Sequence, residues 1–250
     1  MKFPHTRNVK KKKSKRSGKK QRRTKQDLGV PAELLEPKIL LATDVAGAIT
    51  EDTTWSGTIR VTNDVTVAEG VTLNIEPGTV IKSELGALVR ALGAIDASAT
   101  SNAPIIFTSV QDDTVGEDLT PDDQGEPIPG QWDALYVDSS ASTLDHVEIR
   151  FAGNAAGPGN NSWRRSALNV RNDASPSIRN TRILDAENTG IYVESGSPTL
   201  ADVQVFGSRR DQAIYFELEA SPSLTNVTAS GNAADRITIN TANKTITESR

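Results

Sequence analysis

Four aliphatic triplets recur at one fixed interval. Leu168-Asn169-Val170, Ile191-Tyr192-Val193, Ile214-Tyr215-Phe216 and Ile237-Thr238-Ile239 begin 23 residues apart. A second column runs beside the first: SPSIRNTRI (175–183), SPTLADVQV (197–205) and SPSLTNVTA (221–229), at intervals of 22 and 24. A fixed period of this length constrains a chain more than local propensity does, because it means that one small unit stacks on copies of itself. Within each unit, short runs alternate apolar with polar residues and are separated by turn formers; no run follows the helical period. In such a run Ile191 and Val193 point one way and Tyr192 the other. The chain is therefore predicted to be all-β, a right-handed parallel β-helix in which each coil adds about 4.8 Å of length. Leu168, Ile191, Ile214 and Ile237 are expected to form one interior column. A leucine-rich repeat has a similar period, but its Leu-x-x-Leu-x-Leu and Asn pattern is absent.

Earlier coils follow the same rule with less regular spacing. Leu135-Tyr136-Val137 precedes Leu168 by 33 residues, and the surplus matches an insertion, GNAAGPGNNS (153–162). In residues 57–81, Ile59, Val61, Val65, Val67, Val71, Leu73 and Ile75 are interleaved with polar residues, and Gly70, Pro77-Gly78 and Gly86 punctuate the runs. GALVRALGAIDASATSNAPIIFTS (86–109) and GQWDALYV (130–137) come next. This order resembles the opening coils of bacterial right-handed β-helix surface proteins of the pectin-lyase-like superfamily, with their valine-rich entry, "EPGT-V-I" step and "PI-FTS" step. The resemblance spans roughly residues 50–245 and implies the fold, with no single function attached to it. Trp55 is predicted in an N-terminal cap over the first coil. Ile246 falls 22 residues after Leu224, in register, and no capping segment follows it. The expectation is a solenoid truncated relative to a longer chain, or one whose open end a partner covers.

Charge divides the chain into domains. Thirteen of its 28 Lys and Arg lie between Lys2 and Lys25, with no acidic residue before Asp27; the remainder carries 15 basic against 32 acidic groups. Residues 1–26 therefore read as a disordered basic tail, residues 27–46 as a linker, and residues 47–250 as the acidic solenoid. By charge, only the tail suits nucleic acid, and such binding would be steeply salt-dependent. Aromatic residues make up only 4% of the chain, which fits a core of small aliphatic layers. With no cysteine there is no disulfide or thiolate metal site, and no apolar run reaches the 18 or so residues of a membrane-spanning helix.

Within the linker, Leu35-Glu36-Pro37-Lys38-Ile39-Leu40-Leu41 follows the basic tract and resembles the LEPR-XLL motif of large surface proteins from planctomycete-type bacteria. Lys38 stands where that motif has Arg, which keeps the charge and loses the planar fork. The resemblance implies a secreted or cell-surface location.

Several residues are candidates for chemistry. The acidic stretch 111–127 offers Asp112, Asp113, Asp118, Asp122 and Asp123 as oxygen ligands for Ca²⁺, without EF-hand spacing; a solvated loop is the structural alternative. Gln111-Asp112-Asp113 resembles part of a polygalacturonase site, whose companion Gly-His-Gly and Arg-Ile-Lys are absent here. Asp145-His146 resembles a dipeptide of pectate lyases, and Arg150 and Arg171 would complete a lyase-like set. His146 also shares a repeat column with Asn180, Asp202 and Asn226, which reads as a polar turn position. Trp163, Arg164 and Arg165 combine an aromatic ring with cations, a pairing suited to sugars, and Arg209-Arg210 is predicted to project from a later loop in the same way. The expected function is a non-enzymatic surface module for adhesion, envelope structure or weak polysaccharide binding. The alternative is a polysaccharide lyase or glycoside hydrolase of the pectin-lyase-like class. No cofactor is expected beyond Ca²⁺.

Overall fold

The computed structural model describes residues 42–120, 126–154 and 165–240. The basic tail, the LEPR-XLL-like segment and Ile246 lie outside them. Every regular element among the described residues is a strand, and every strand pairing is parallel. No described helix is long and apolar enough to cross a membrane.

The strands fall on three faces of a parallel β-helix. The first face stacks β2 (Thr53–Trp55), β4 (Thr72–Ile75), β7 (Ala94–Ser98), β10 (Thr143–Asp145), β13 (Ser177–Arg179), β16 (Thr199–Ala201) and β19 (Ser223–Thr225). On the second lie the leading halves of β1 (Thr43–Ile49) and β3 (Thr58–Val67), followed by β5 (Val80–Ser83), β8 (Ile105–Ser109), β11 (Val147–Arg150), β14 (Arg182–Leu184), β17 (Gln204–Phe206) and β20 (Thr228–Ser230). The third takes the trailing halves of β1 and β3, then β6 (Val89–Ala91), β9 (Leu135–Val137), β12 (Leu168–Val170), β15 (Ile191–Val193), β18 (Gln212–Glu217) and β21 (Ala234–Asn240). Because β3 runs unbroken round one corner, it hydrogen-bonds to β5 with one end and to β6 with the other. The solenoid thus begins in β1, a few residues ahead of position 47.

Aliphatic columns fill the interior. Leu144, Ile178, Leu200 and Leu224 stack inside the first face. Ile59, Ile81, Phe107, Ile149, Ile183, Val205 and Ala229 stack inside the second. On the third, Val65, Val89, Leu135, Leu168, Ile191, Ile214 and Ile237 are in register from coil to coil, as the 23-residue period requires. Ile237 keeps its place in that column but is 42% exposed, since no described strand lies beyond β21. Trp55 differs from expectation. It is a buried wall residue of the first coil, paired with Ile75, rather than part of a cap.

The corners explain the polar columns. His146, Asn180, Asp202 and Asn226 all have φ between 46° and 56°, the left-handed conformation that Asn and Asp tolerate best among residues with a side chain. Three of these turns aim a backbone N–H at the next coil: His146 N donates to Arg179 O at 3.3 Å, Asn180 N to Ala201 O at 3.0 Å and Asp202 N to Thr225 O at 2.9 Å. At another corner the Ser-Pro repeats form a hydroxyl ladder, with Ser175 N donating to Ser140 Oγ and Ser197 N to Ser175 Oγ, both at 2.9 Å.

Gly196 closes that corner at φ 87°, and a methyl group there would overlap the Ala174 carbonyl oxygen of the preceding coil. Gly196→Ala is expected to destabilise the fold by about 1–3 kcal/mol, through left-handed strain together with the overlap. A urea titration of the two proteins measures this, and an unshifted midpoint would contradict it.

Candidate ligand-binding face

Outward side chains of the third face form two adjacent columns. One reads Arg90, Tyr136, Asn169, Tyr192, Tyr215 and Thr238 from coil to coil. The other takes the residues that follow β9, β12 and β15, namely Asp138, Arg171 and Glu194, and the last residue of β18, Glu217, with Asn240 beside it. Strand alternation points both columns away from the core side chains Val137, Val170, Val193 and Phe216, but Asn169 and Tyr192 are fully covered by their neighbours and Asp138 and Glu217 nearly so, which leaves Tyr136, Arg171 and Tyr215 among the accessible members.

Contacts tie the two columns together. Arg90 Nε donates to Asp138 Oδ2 at 2.7 Å. The Arg171 guanidinium lies over the Tyr136 ring, 5.4 Å from its centroid, and its Nε is 3.6 Å from Glu194 Oε2. Tyr192 OH donates to Glu217 Oε1 at 3.0 Å, and Asn240 Nδ2 donates to Glu217 Oε2 at 2.6 Å. The Tyr192 and Tyr215 rings are 6.0 Å apart and tilted by 32°. Burial pushes the Tyr136 phenol up to about 12, with Asp133 adding to the rise and Arg171 opposing it. Burial also raises Asp133, helped by Asp64 and opposed by Arg165 and Arg171. The result is a strip of aromatic rings and hydrogen-bonding groups in which each described arginine has its own carboxylate.

The lyase-like set does not converge on one cleft. Asp145 and His146 occupy the corner between the first and second faces, where His146 Nδ1 lies 2.8 Å from Asp145 Oδ1 and Asn180 Nδ2 donates to the same oxygen at 2.8 Å. Arg150 ends β11 on the second face, paired with Glu148 and 3.6 Å from Asp112 Oδ2. Arg171 belongs to the third face. Of the sugar-binding candidates, Arg165 is described and its charge reaches Asp133, whereas Trp163 and Arg164 lie outside the described residues. Arg209 and Arg210 both bind the buried carboxylate of Glu187 while their side chains stay largely exposed.

Residues 111–120 of the acidic stretch fold back over the second face, and their carboxylates turn to separate partners. Asp112 is buried and accepts from Thr108 Oγ1 at 2.7 Å and from Thr114 N at 3.2 Å. Asp113 Oδ1 lies 4.0 Å from Lys82 Nζ, and Asp118 Oδ1 accepts from Thr120 N at 3.0 Å. Asp122 and Asp123 lie outside the described residues; among those described, no three His, Cys, Asp or Glu side chains group closely enough to hold a metal ion. Lys82 is fully buried beneath this strap and donates to the Glu117 carbonyl. Burial holds its ammonium below the ordinary lysine range, against the upward pull of Asp113, Asp112, Asp118 and Glu117.

Sequence reading missed the two-column face and the buried lysine. The tyrosines carried a usable signal, since Tyr136, Tyr192 and Tyr215 hold the middle position of three of the recurring triplets. No protein-family model, curated protein or solved structure matches the chain.

Proposed function

We propose that the chain is a non-enzymatic, surface-displayed β-helix module of the pectin-lyase-like kind, and that its third face contacts neutral polysaccharide. One observation carries the reading: the Arg171–Tyr136 stack beside the Arg90–Asp138 pair, with the partly exposed Tyr215 further along the same column. Aromatic rings offer the apolar faces of sugars a platform, and neighbouring polar groups fix hydroxyls. A linear polymer lying along the solenoid axis would meet the same columns at coil after coil. Arg90 and Arg171 each sit beside a carboxylate and the solenoid is acidic, so an uncharged polymer is favoured over a polyanion. The basic tract followed by Leu35–Leu41 supports a cell-envelope location.

A glycan array with cell fractionation tests the proposal. Binding to neutral polysaccharide should weaken about tenfold in Tyr136→Ala and in Arg171→Ala, the scale of a lost cation–π contact and ring platform. Unchanged binding in both variants would refute the assignment of the face, and a purely cytosolic protein the location. Turnover of a uronate polymer that disappears in His146→Ala would favour the lyase reading instead.

A further inference from the structure

Both insertions leave the solenoid at the same corner, between the second and third faces. The first of them doubles back as the strap over β3 and β5. Glu117 N donates to Thr58 Oγ1 at 3.4 Å, and Gly116 lies so close to Val80 that a Cβ there would stand 3.1 Å from its side chain. Asp112 ties down the turn that starts the strap: its Oδ2 accepts from Thr108 Oγ1, and its Oδ1 accepts from Thr114 N and Thr114 Oγ1. The next residue, Asp113, is thereby held beside Lys82, the third residue of β5.

An ammonium has three donors, and each needs water or an acceptor. Lys82 is completely buried, and among the described residues its Nζ has one acceptor, the Glu117 carbonyl. Asp113 Oδ1 is the carboxylate oxygen within reach, but at 4.0 Å it is too far for a hydrogen bond. Asp113 in turn accepts no hydrogen bond among the described residues, and its side chain is 40% exposed, which leaves it room to turn toward the amine. Arg60, one coil earlier in the same column, has by contrast its own carboxylate in Glu84. A buried ion pair with so few partners is costly, and burial already favours the neutral amine. A neutral amide in this place would carry a single N–H, and the Glu117 carbonyl stands ready to accept it.

We propose that Lys82 and Asp113 condense to an intramolecular isopeptide bond that staples the strap to β5. The ammonium passes one proton to the Asp113 carboxylate, and the neutral amine attacks Cγ to form the Nζ–Cγ bond. The bond from Cγ to the protonated oxygen breaks, and that oxygen leaves as water with a second proton from the nitrogen. The third proton stays on the amide and donates to the Glu117 carbonyl. No oxidant or other reactant is required. Groups held side by side and well aligned react as though at about 10⁵ M or more, and the dry Nζ side of the strap shields the product from hydrolysis. A chain without cysteine has no disulfide to brace it, and this bond would close the loop between residues 82 and 113. Before condensation Lys82 is a titrating amine; afterwards both groups are neutral at every pH. The staple shares no residue with the third-face strip and stands or falls separately from it.

Intact-mass spectrometry tests the proposal on the purified whole chain, fresh and after several days at neutral pH. The mass should fall by one water, and tandem spectra of a digest should place a branch between residues 82 and 113. Lys82→Met and Asp113→Ala should keep their full mass, and Asp113→Asn should lose ammonia in place of water. A folded parent that keeps its full mass, or a branch at any other carboxylate, would overturn the proposal. So would an equal loss of water from Lys82→Met, which would point to a succinimide at an aspartate.

Discussion

Trp132→Ala is expected to cost about 3–5 kcal/mol of stability, a large share of what a domain possesses. The indole is completely buried, and its ring stacks on Phe107 with centroids 6.5 Å apart and planes 19° apart. Phe107 belongs to the interior column of the second face, so the indole fills space between that column and the insertion corner. Its Nε1 donates to the Arg150 carbonyl at 2.7 Å. Truncation would remove the largest fully buried side chain, leave a cavity and strand that carbonyl. Trp132→Phe should restore most of the loss and retain a deficit of about 1 kcal/mol for the missing hydrogen bond. Guanidinium unfolding of the three proteins gives the ordering. Since neighbouring coils stabilise one another, hydrogen exchange should quicken first in β9 and β11. Equal stability of Trp132→Ala and the parent would contradict this account of the corner.

Lys82 yields the second large effect, and its sign depends on the replacement. Lys82→Ala leaves a void under the strap and the Glu117 carbonyl without its donor, at a cost of about 2–5 kcal/mol. Lys82→Met keeps the packed stem and removes a buried charge, so it should be neutral or stabilising at pH 7. The pH dependence separates burial of charge from packing. A lysine whose folded pKa lies below its unfolded value of 10.5 binds fewer protons when folded. Its contribution to stability therefore rises with pH, from the depressed folded value up to 10.5. The parent should show this rise and Lys82→Met should not. Tyr136 acts in the opposite sense: raised from 10.0 to about 12, it contributes stability that is intact below pH 10 and lost between 10 and 12. Melting temperatures from pH 7 to 11 read both slopes. Parallel curves for the parent and Lys82→Met would show that the lysine titrates normally.

Where a coil repeats its neighbour, the sequence is easy to read. Ile191, Ile214 and Ile237 stand at equal spacing because each has the same place in the same turn. The column His146, Asn180, Asp202, Asn226 was legible as a turn because the left-handed conformation restricts which side chains fit. Legibility falls where contacts come from distant segments. Lys82 alternates with buried Ile81 and reads as a solvent-facing strand residue; its burial is imposed by the strap, 35 residues further on at Glu117. The third-face strip is likewise assembled from one residue per coil, so no local motif announces it. Trp55 was misplaced because a lone tryptophan near the start of a solenoid fits a cap as well as a wall. Its pairing with Ile75 decides between them.

The corner that carries both insertions has a practical consequence. Chain can leave after β8 or β11 and return at β9 or β12 while the pairing of adjacent coils stays in register. Foreign peptides spliced at the equivalent turn between Leu184 and Ile191 should therefore be displayed on a rigid comb, whose teeth are set one rung, about 4.8 Å, apart. Such a comb would work as a ruler for multivalent ligands: adding or skipping a coil changes the separation of two grafted epitopes by one known step.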